Sequence, residues 1–344
     1  MKMRPLGRTG LQVSPYCLGT MMFGPLGNPD PDDCARILHR ALDGGINFVD
    51  TADVYGGGET EVILGKALTG RRDDVVLATK FSGPMGDDPN RRGASRRWIV
   101  TAVEDSLRRL NVDHIDLYQI HHFDPATDLE ETLSALTDLL TAGKIRAVGS
   151  SSFLASDIVE AQWISQRNGL ARLRTEQPSY SILARGIERD ILPVCHRYGM
   201  GVLTWSPLAW GLLTGKHRPG QNAKVSPGRA KWGPQHMSDQ NKAAAVEQLV
   251  PVAEQAGISM THLAMAFTMA HPAVTSAIIG PRTFDQLDDL LAGADLSLSD
   301  DILDRIDEIA PPGTDIGVSE VSYVPPSLSN TTLRRHSISD RAAA

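Results

Sequence analysis

The stretch GINFVDTADVYGGGETEVILGKAL, Gly45–Leu68, changes structural period twice. Ile46–Thr51 is a short run rich in apolar residues, of the kind that forms a strand covered on both faces. EVILGKAL reads as a helix. Between them lie Asp50, Asp53 and Tyr55 within six residues, followed by Gly56–Gly58. The segment is therefore one strand–loop–helix unit, with its ionisable groups gathered where the strand ends. The three glycines read as room for a small molecule beside Tyr55 or as a helix-start turn.

The same rhythm extends in both directions. Strand candidates are Tyr16–Met21, Ile46–Thr51, Val75–Lys80, Ile115–His121, Ile145–Ser150, Arg174–Gln177, Gly201–Trp205 and Ser276–Gly280. Helix patterns separate them. Asp30-Pro31-Asp32-Asp33 opens one that Gly44-Gly45 stops, Ser95 or a neighbour opens another, and Asp128 opens a third that Gly143 stops. Strand starts fall 27 to 40 residues apart, except for a last interval of about 75. Eight such units predict an α/β fold of the (β/α)8 TIM-barrel type over residues 1–312. A doubly wound sheet is the competitor, but no nucleotide fingerprint supports it. In GGGETE, Glu61 stands where the third glycine belongs, and Gly65-Lys66 and Gly215-Lys216 lack the rest of a P-loop. MRPLGRTGLQVSP reads as an N-terminal hairpin. The Gly/Pro-rich segment Gly215–His236 reads as a long functional or mobile loop. Residues 313–344, with Pro325-Pro326 and Arg334-Arg335, read as a tail that wraps the surface or is disordered.

Composition narrows the function classes. With 41% hydrophobic residues in 344, the chain has enough apolar material for a large core. A formal net charge of -7 gives no reason to expect nucleic acid. Cys17, Cys34 and Cys195 are far apart, without C-x-x-C or histidine at metal spacing, so no metal is expected and the thiols read as reduced. No run approaches the length of a membrane span, and no apolar targeting segment is seen. The expectation is a soluble cytoplasmic protein with no membrane partner, a homo-oligomer remaining open.

Barrel strands end in active-site loops, so polar residues at the ends of apolar runs carry information. Asp50, Lys80 and His121 end three successive strands, and Tyr55 lies in the loop after the first. Ser151, Gln177 and Ser206 end or follow later ones. A phenol is a weak acid at neutral pH, with a pKa near 10. A neighbouring ammonium stabilises the phenolate, a buried aspartate offsets the desolvation of that ammonium, and a neutral histidine aims a carbonyl oxygen at the phenol. Asp50, Tyr55, Lys80 and His121 together assemble a proton donor for a carbonyl that receives a hydride.

Together with VVLATK, SLRRLNVDHIDLYQIHHFD, GKIRAVGSSSF, TEQPSYSIL and VLTWSPLAWGLLTGK, the opening stretch resembles the aldo-keto reductase superfamily. Within it, the chain is most similar to the bacterial branch that also resembles potassium-channel β subunits. The similarity runs from about Leu6 to Ala310. It implies an NADPH-dependent reductase of aldehydes or ketones, NADH being possible, with a small-molecule carbonyl substrate. Tyr55 is then the general acid, Lys80 and Asp50 tune it, and His121 orients the carbonyl. Ser151 and Gln177 match contacts to the nicotinamide carboxamide, Ser152 stands at the position of a further carboxamide contact, and Trp205 matches the aromatic that stacks on the ring. Ser206, Pro207, Leu208, Gly211, Leu213 and Lys216 match the segment over the pyrophosphate. Gly280, Arg282, Gln286 and Asp289 match the adenosine end, with Arg282 suited to a 2′-phosphate, and Thr20 and Met21 match the rim beside the nicotinamide. Two departures stand out. Ser151-Ser152-Phe153 replaces the family's Ser-Asn-Phe, and Asp289-Leu290 replaces its Glu-Asn. Two other functions fit parts of the pattern: a cofactor-binding regulatory module akin to channel β subunits, and a sugar-nucleotide ketone reductase using the arginines of Met85–Arg97.

Overall fold

Eight parallel strands close into a barrel in the computed structural model, which describes residues 1–218, 233–320 and 323–341. After the hairpin β1 (Arg4–Pro5) and β2 (Gln12–Val13), the barrel runs β3 (Tyr16–Gly19), β4 (Phe48–Asp50), β5 (Val76–Phe81), β6 (Ile115–Ile120), β7 (Ile145–Ser151), β8 (Leu173–Gln177), β9 (Gly201–Thr204) and β10 (Ser276–Ile279). β10 pairs with β3 to close it. All eight strands coincide with apolar runs read from the sequence. Met21, Thr51, His121, Trp205 and Gly280 lie just past their strands, in the connecting loops.

The helices α1 (Pro31–Asp43), α2 (Glu59–Ala67), α3 (Arg96–Leu110), α4 (Leu129–Thr141), α5 (Ala155–Asn168) and α6 (Ile191–Tyr198) alternate with the strands. Their starts follow local chemistry. Asp30 accepts from the Asp32 and Asp33 backbone N–H groups, with Pro31 in the first turn, and Ser95 accepts from Trp98 N. The long interval before β10 contains α7 (Pro234–Met237), α8 (Gln240–Ala256) and α9 (Met260–Ala270), and α10 (Phe284–Ala292) and α11 (Asp300–Ile309) follow β10. Part of the Gly215–His236 segment falls outside the described residues.

The barrel interior changes character along its axis. Leu6 and Val13 of the hairpin cluster with Cys17, Phe48, Ala78, Leu117, Ala147 and Leu203, plugging the N-terminal end with apolar side chains. Two residues further along several of these strands stand Asp50, Lys80, Gln119 and Gly149. The strand period of two thus carries one interior row from apolar to polar. Gly149 is needed there, because an added Cβ would lie 2.1 Å from Thr175 Oγ1. The polar layer faces the C-terminal mouth. Residues beyond α11 return across the barrel: Ile316 N donates to Leu183 O, Arg185 N to Thr314 O, and Tyr323 sits edge-on to Phe123 at 5.7 Å.

Candidate active site

Strand register brings the polar residues to one place. Asp50 ends β4, Lys80 lies in β5 opposite Gln119 of β6, and His121 follows β6. Lys80 is fully buried and uses all three ammonium donors: to Asp50 Oδ2 at 2.5 Å, Thr51 O at 2.9 Å and Tyr55 OH at 3.4 Å. Asp50 Oδ1 accepts from Gln177 Nε2 at 2.9 Å and Gln119 Nε2 at 3.2 Å. The His121 ring stands edge-on to Tyr55, centroids 5.9 Å apart, and His122 stacks on His121 at 4.4 Å. The four residues expected to act together therefore form one cluster.

The electrostatics follow from burial opposed by neighbours. Burial disfavours the charge on Lys80, but Asp50 and Tyr55 outweigh it and hold the ammonium above its ordinary range. Burial raises the Tyr55 phenol, and the downward pull of Lys80 offsets only part of this, so the phenol stands above its usual value. The reading of the sequence anticipated the direction of the lysine's effect and not the larger effect of burial. Burial and Lys80 together press His121 far below its ordinary pKa, which leaves a neutral imidazole. His122 is lowered for the same two reasons.

A turn of left-handed glycines places Tyr55. Gly56, Gly57 and Gly58 have φ of 58°, 67° and 100°, and a Cβ on Gly58 would sit 2.9 Å from the Arg109 side chain. Glu61 anchors the base of this turn, accepting from Thr79 Oγ1 at 2.6 Å and Arg109 Nε at 2.7 Å. Asp53 is also fully buried, and neither carboxylate oxygen has a hydrogen-bond partner among the described residues. Burial, reinforced by Glu61, pushes its carboxyl up to about 8. Neither Asp53 nor Gln119 was assigned a role from the sequence. The signal for Gln119 was available, since it lies two residues before His121 on the interior row of β6.

The remaining sequence candidates lie at the C-terminal ends of the strands or in the loops and the helix that follow them. Thr20 Oγ1 donates to Asp50 O at 3.1 Å, and Ser151 Oγ donates to Gln177 O at 2.9 Å. Ser152 has φ of 57°, and buried Glu176 accepts from Ser150 Oγ and from Phe153 N beside it. Burial outweighs those hydrogen bonds and raises Glu176 to about 8. After β9, Trp205 is half-buried and Ser206, Ala209, Trp210 and Gly211 all have positive φ. Ser206 Oγ caps Trp210 N, and Leu208 O accepts from Gly211 N and Leu213 N. Pro207 has no N–H to offer, and Lys216 is exposed. Met21 is half-buried at the rim, and Gly280, just past β10, has only Met22 Cγ within reach of an added Cβ, at 3.8 Å. Gln286 Oε1 accepts from Arg282 N at 2.9 Å, while the Arg282 guanidinium has no ion pair among the described residues. Asp289 is engaged by His262 through both its carbonyl and its carboxylate.

The aldo/keto reductase family model matches residues 15–311. The chain belongs to the aldo/keto reductase family. This aldo/keto reductase is 40% identical to "Uncharacterized oxidoreductase YrpG" of Bacillus subtilis (strain 168), over 89% of this chain and 95% of that one. It is 33% identical to "Probable voltage-gated potassium channel subunit beta" of Oryza sativa subsp. japonica, over 90% and 96%. "Aldo-keto reductase YhdN" of Bacillus subtilis is 35% identical over 84% and 88%. Family membership makes the protein an oxidoreductase, and the family generally uses NAD(P)H. The donor set suits such a cofactor. Ser151 and the second N–H of Gln177 offer neutral hydrogen bonds, the loop after β9 is fixed at positive φ by its own hydrogen bonds, and Arg282 has no ion pair among the described residues. Among the described residues there is no cluster that could hold a metal and no helix long and apolar enough to cross a membrane.

Proposed function

We propose that the protein is an NADPH-dependent reductase of aldehydes or ketones in which Tyr55 gives the proton to the carbonyl oxygen. The observation that carries this reading is the Lys80 ammonium, buried and shared between Asp50 and the Tyr55 hydroxyl. Lys80 stabilises the phenolate left after transfer, Asp50 keeps Lys80 charged, and Gln119 and Gln177 hold Asp50. Neutral His121 donates to the carbonyl oxygen and aims it at the phenol. The bound nicotinamide supplies the hydride. Ser151, Ser152 and Gln177 would hold its carboxamide, Trp205 its ring face, and Ser206–Lys216 the pyrophosphate. Gly280, Gln286 and Asp289 would line the adenosine end, with Arg282 on the 2′-phosphate, and Thr20 and Met21 would close the rim. Engagement of Asp289 by His262 leaves it less free to contact the adenine. The three buried free cysteines fit a reduced, cytoplasmic setting.

The test is steady-state reduction of a panel of reactive aldehydes and ketones with NADPH and with NADH, alongside cofactor titration. Turnover with NADPH supports the reading. Tight NADPH binding with no turnover on any carbonyl would favour a regulatory module of the kind named among the relatives. A sugar-nucleotide substrate would have to rely on Arg92 and Arg97, because Arg91 pairs with Asp105, and Arg96 with Glu131 and Asp138.

A further inference from the structure

Among the described residues two lysines are fully buried, Lys80 and Lys242. Lys242 belongs to no part of the candidate catalytic cluster. It sits in the first turn of α8, where its Nζ donates to Glu320 Oε1 at 2.8 Å and to His236 Nδ1 at 3.3 Å. Neither side chain of the Lys242–Glu320 pair is exposed. Glu320 Oε2 accepts from Ser179 Oγ at 3.2 Å, and Ser179 pairs through its backbone with Trp205. The His236 ring lies flat on the indole of Trp210, centroids 5.5 Å apart and planes within 7°. Burial and the adjacent ammonium lower the pKa of His236, so the ring is neutral, with Nδ1 accepting. An added Cβ on Gly233 would come within 2.8 Å of the same indole.

Burying an ammonium is costly unless a carboxylate and further hydrogen bonds compensate it; here the carboxylate comes from the segment beyond α11 and the further partner, His236, from the short helix just before α8. The beneficiary is identifiable. Ala209 and Trp210 hold φ of 46° and 59°, a backbone region that side-chain-bearing residues keep only where surroundings over-determine it. The indole of Trp210, held against His236, supplies that constraint. Contacts therefore run unbroken from Glu320 through Lys242 and His236 to Trp210, inside the loop after β9.

We infer that Glu320, acting through Lys242 and His236, is a positioning residue that holds the Ser206–Leu213 loop in its dinucleotide-binding shape, so that the segment beyond α11 completes the cofactor site. This rests on the assignment of that loop to the dinucleotide made above. It is tested on the full chain with Glu320→Gln, with Glu320→Asp, and with the uncharged pair Lys242→Met/Glu320→Gln, which avoids leaving a lone buried ammonium. NADPH affinity is measured by calorimetry, and amide hydrogen exchange over residues 206–216 is followed without nucleotide. Glu320→Gln and the uncharged pair should weaken NADPH binding by about tenfold or more and speed exchange across the loop. kcat at saturating cofactor should change much less than KM for NADPH, and Glu320→Asp should recover part of the affinity. A folded uncharged pair that binds NADPH like the wild type, with unchanged loop exchange, overturns the inference. So does a fall in Tm alone. Failure of the wild type to bind either dinucleotide instead overturns the cofactor assignment, and loop exchange still decides whether Glu320 holds Trp210.

Discussion

Tyr55 is subject to two opposed effects, and Lys80 decides how they balance. Burial makes the phenol reluctant to ionise, while the ammonium at 3.4 Å favours the phenolate. Tyr55→Phe keeps the ring and removes the donor, so kcat for a reactive aldehyde should fall about 10²–10⁴-fold. NADPH affinity, read by quenching of Trp fluorescence, should stay near wild type. Retention of wild-type kcat by Tyr55→Phe would remove the phenol from the mechanism. Lys80→Met tests the tuning. An acid catalyst must be protonated, so reduction declines as pH rises through the pKa of Tyr55. Without the ammonium that pKa moves up, so the decline should shift to higher pH while the plateau falls by an order comparable to Tyr55→Phe. A lower plateau with an unmoved pH profile would show that Lys80 serves only to hold the fold. His121→Ala should raise KM for the carbonyl and also lower kcat, because the imidazole's hydrogen bond holds the bound carbonyl and strengthens as charge develops on its oxygen in the transition state.

At the scale of elements, the loops after β9 and β10 separate binding from chemistry. Arg282 enters α10 with its backbone N–H fixed by Gln286 and its guanidinium unpaired among the described residues. A 2′-phosphate offers bidentate pairing to a guanidinium, and one charge-assisted contact is worth roughly 1.5–3 kcal/mol. Arg282→Ala should therefore raise Kd for NADPH about 10- to 100-fold and leave NADH nearly unchanged in calorimetric titrations. An equal loss for both cofactors would count against a 2′-phosphate contact. Why these elements were legible is also a matter of period. β5 and β6 are buried on both faces, so VVLATK and IDLYQIH read as strands, and Lys80 and His121 marked the mouth. Gln119 escaped notice because a single amide inside an apolar strand looks like a packing residue until register sets it opposite Lys80. The Lys242–Glu320 pair lay beyond sequence reasoning altogether. Lys242 looks like any exposed residue of a helix start, and its partner lies in a segment read as tail, so only the folded chain joins them.

Across the whole molecule, buried carboxyls make stability depend on pH in a direction opposite to the usual one. Asp124 and Asp239, which accept backbone N–H bonds, have lowered pKa values and stabilise the fold above the acid range, their contribution being lost as pH falls. Asp53 behaves in reverse. Its folded value is about 8 against an unfolded value of about 3.9, so the native state binds the extra proton. Its contribution is thus unpenalised below the unfolded value and erodes as pH climbs towards the folded one. Glu61 sharpens the effect, while Arg109 and Lys80 temper it. Asp53→Asn mimics the protonated carboxyl in shape and carries no charge. Wild type and variant should therefore be about equally stable near pH 4 in urea titrations, the gap opening as pH rises from there. By pH 9 the variant should be the more stable, by roughly 5 kcal/mol, since the folded and unfolded values lie about four tenfold steps of proton affinity apart and each step is worth about 1.4 kcal/mol. Glu176 and the lowered carboxylates are common to both proteins and cancel in the difference. A gap that stays constant from pH 5 to 9 would mean that Asp53 is ionised in the native barrel and that its orphaned oxygens are satisfied by other means.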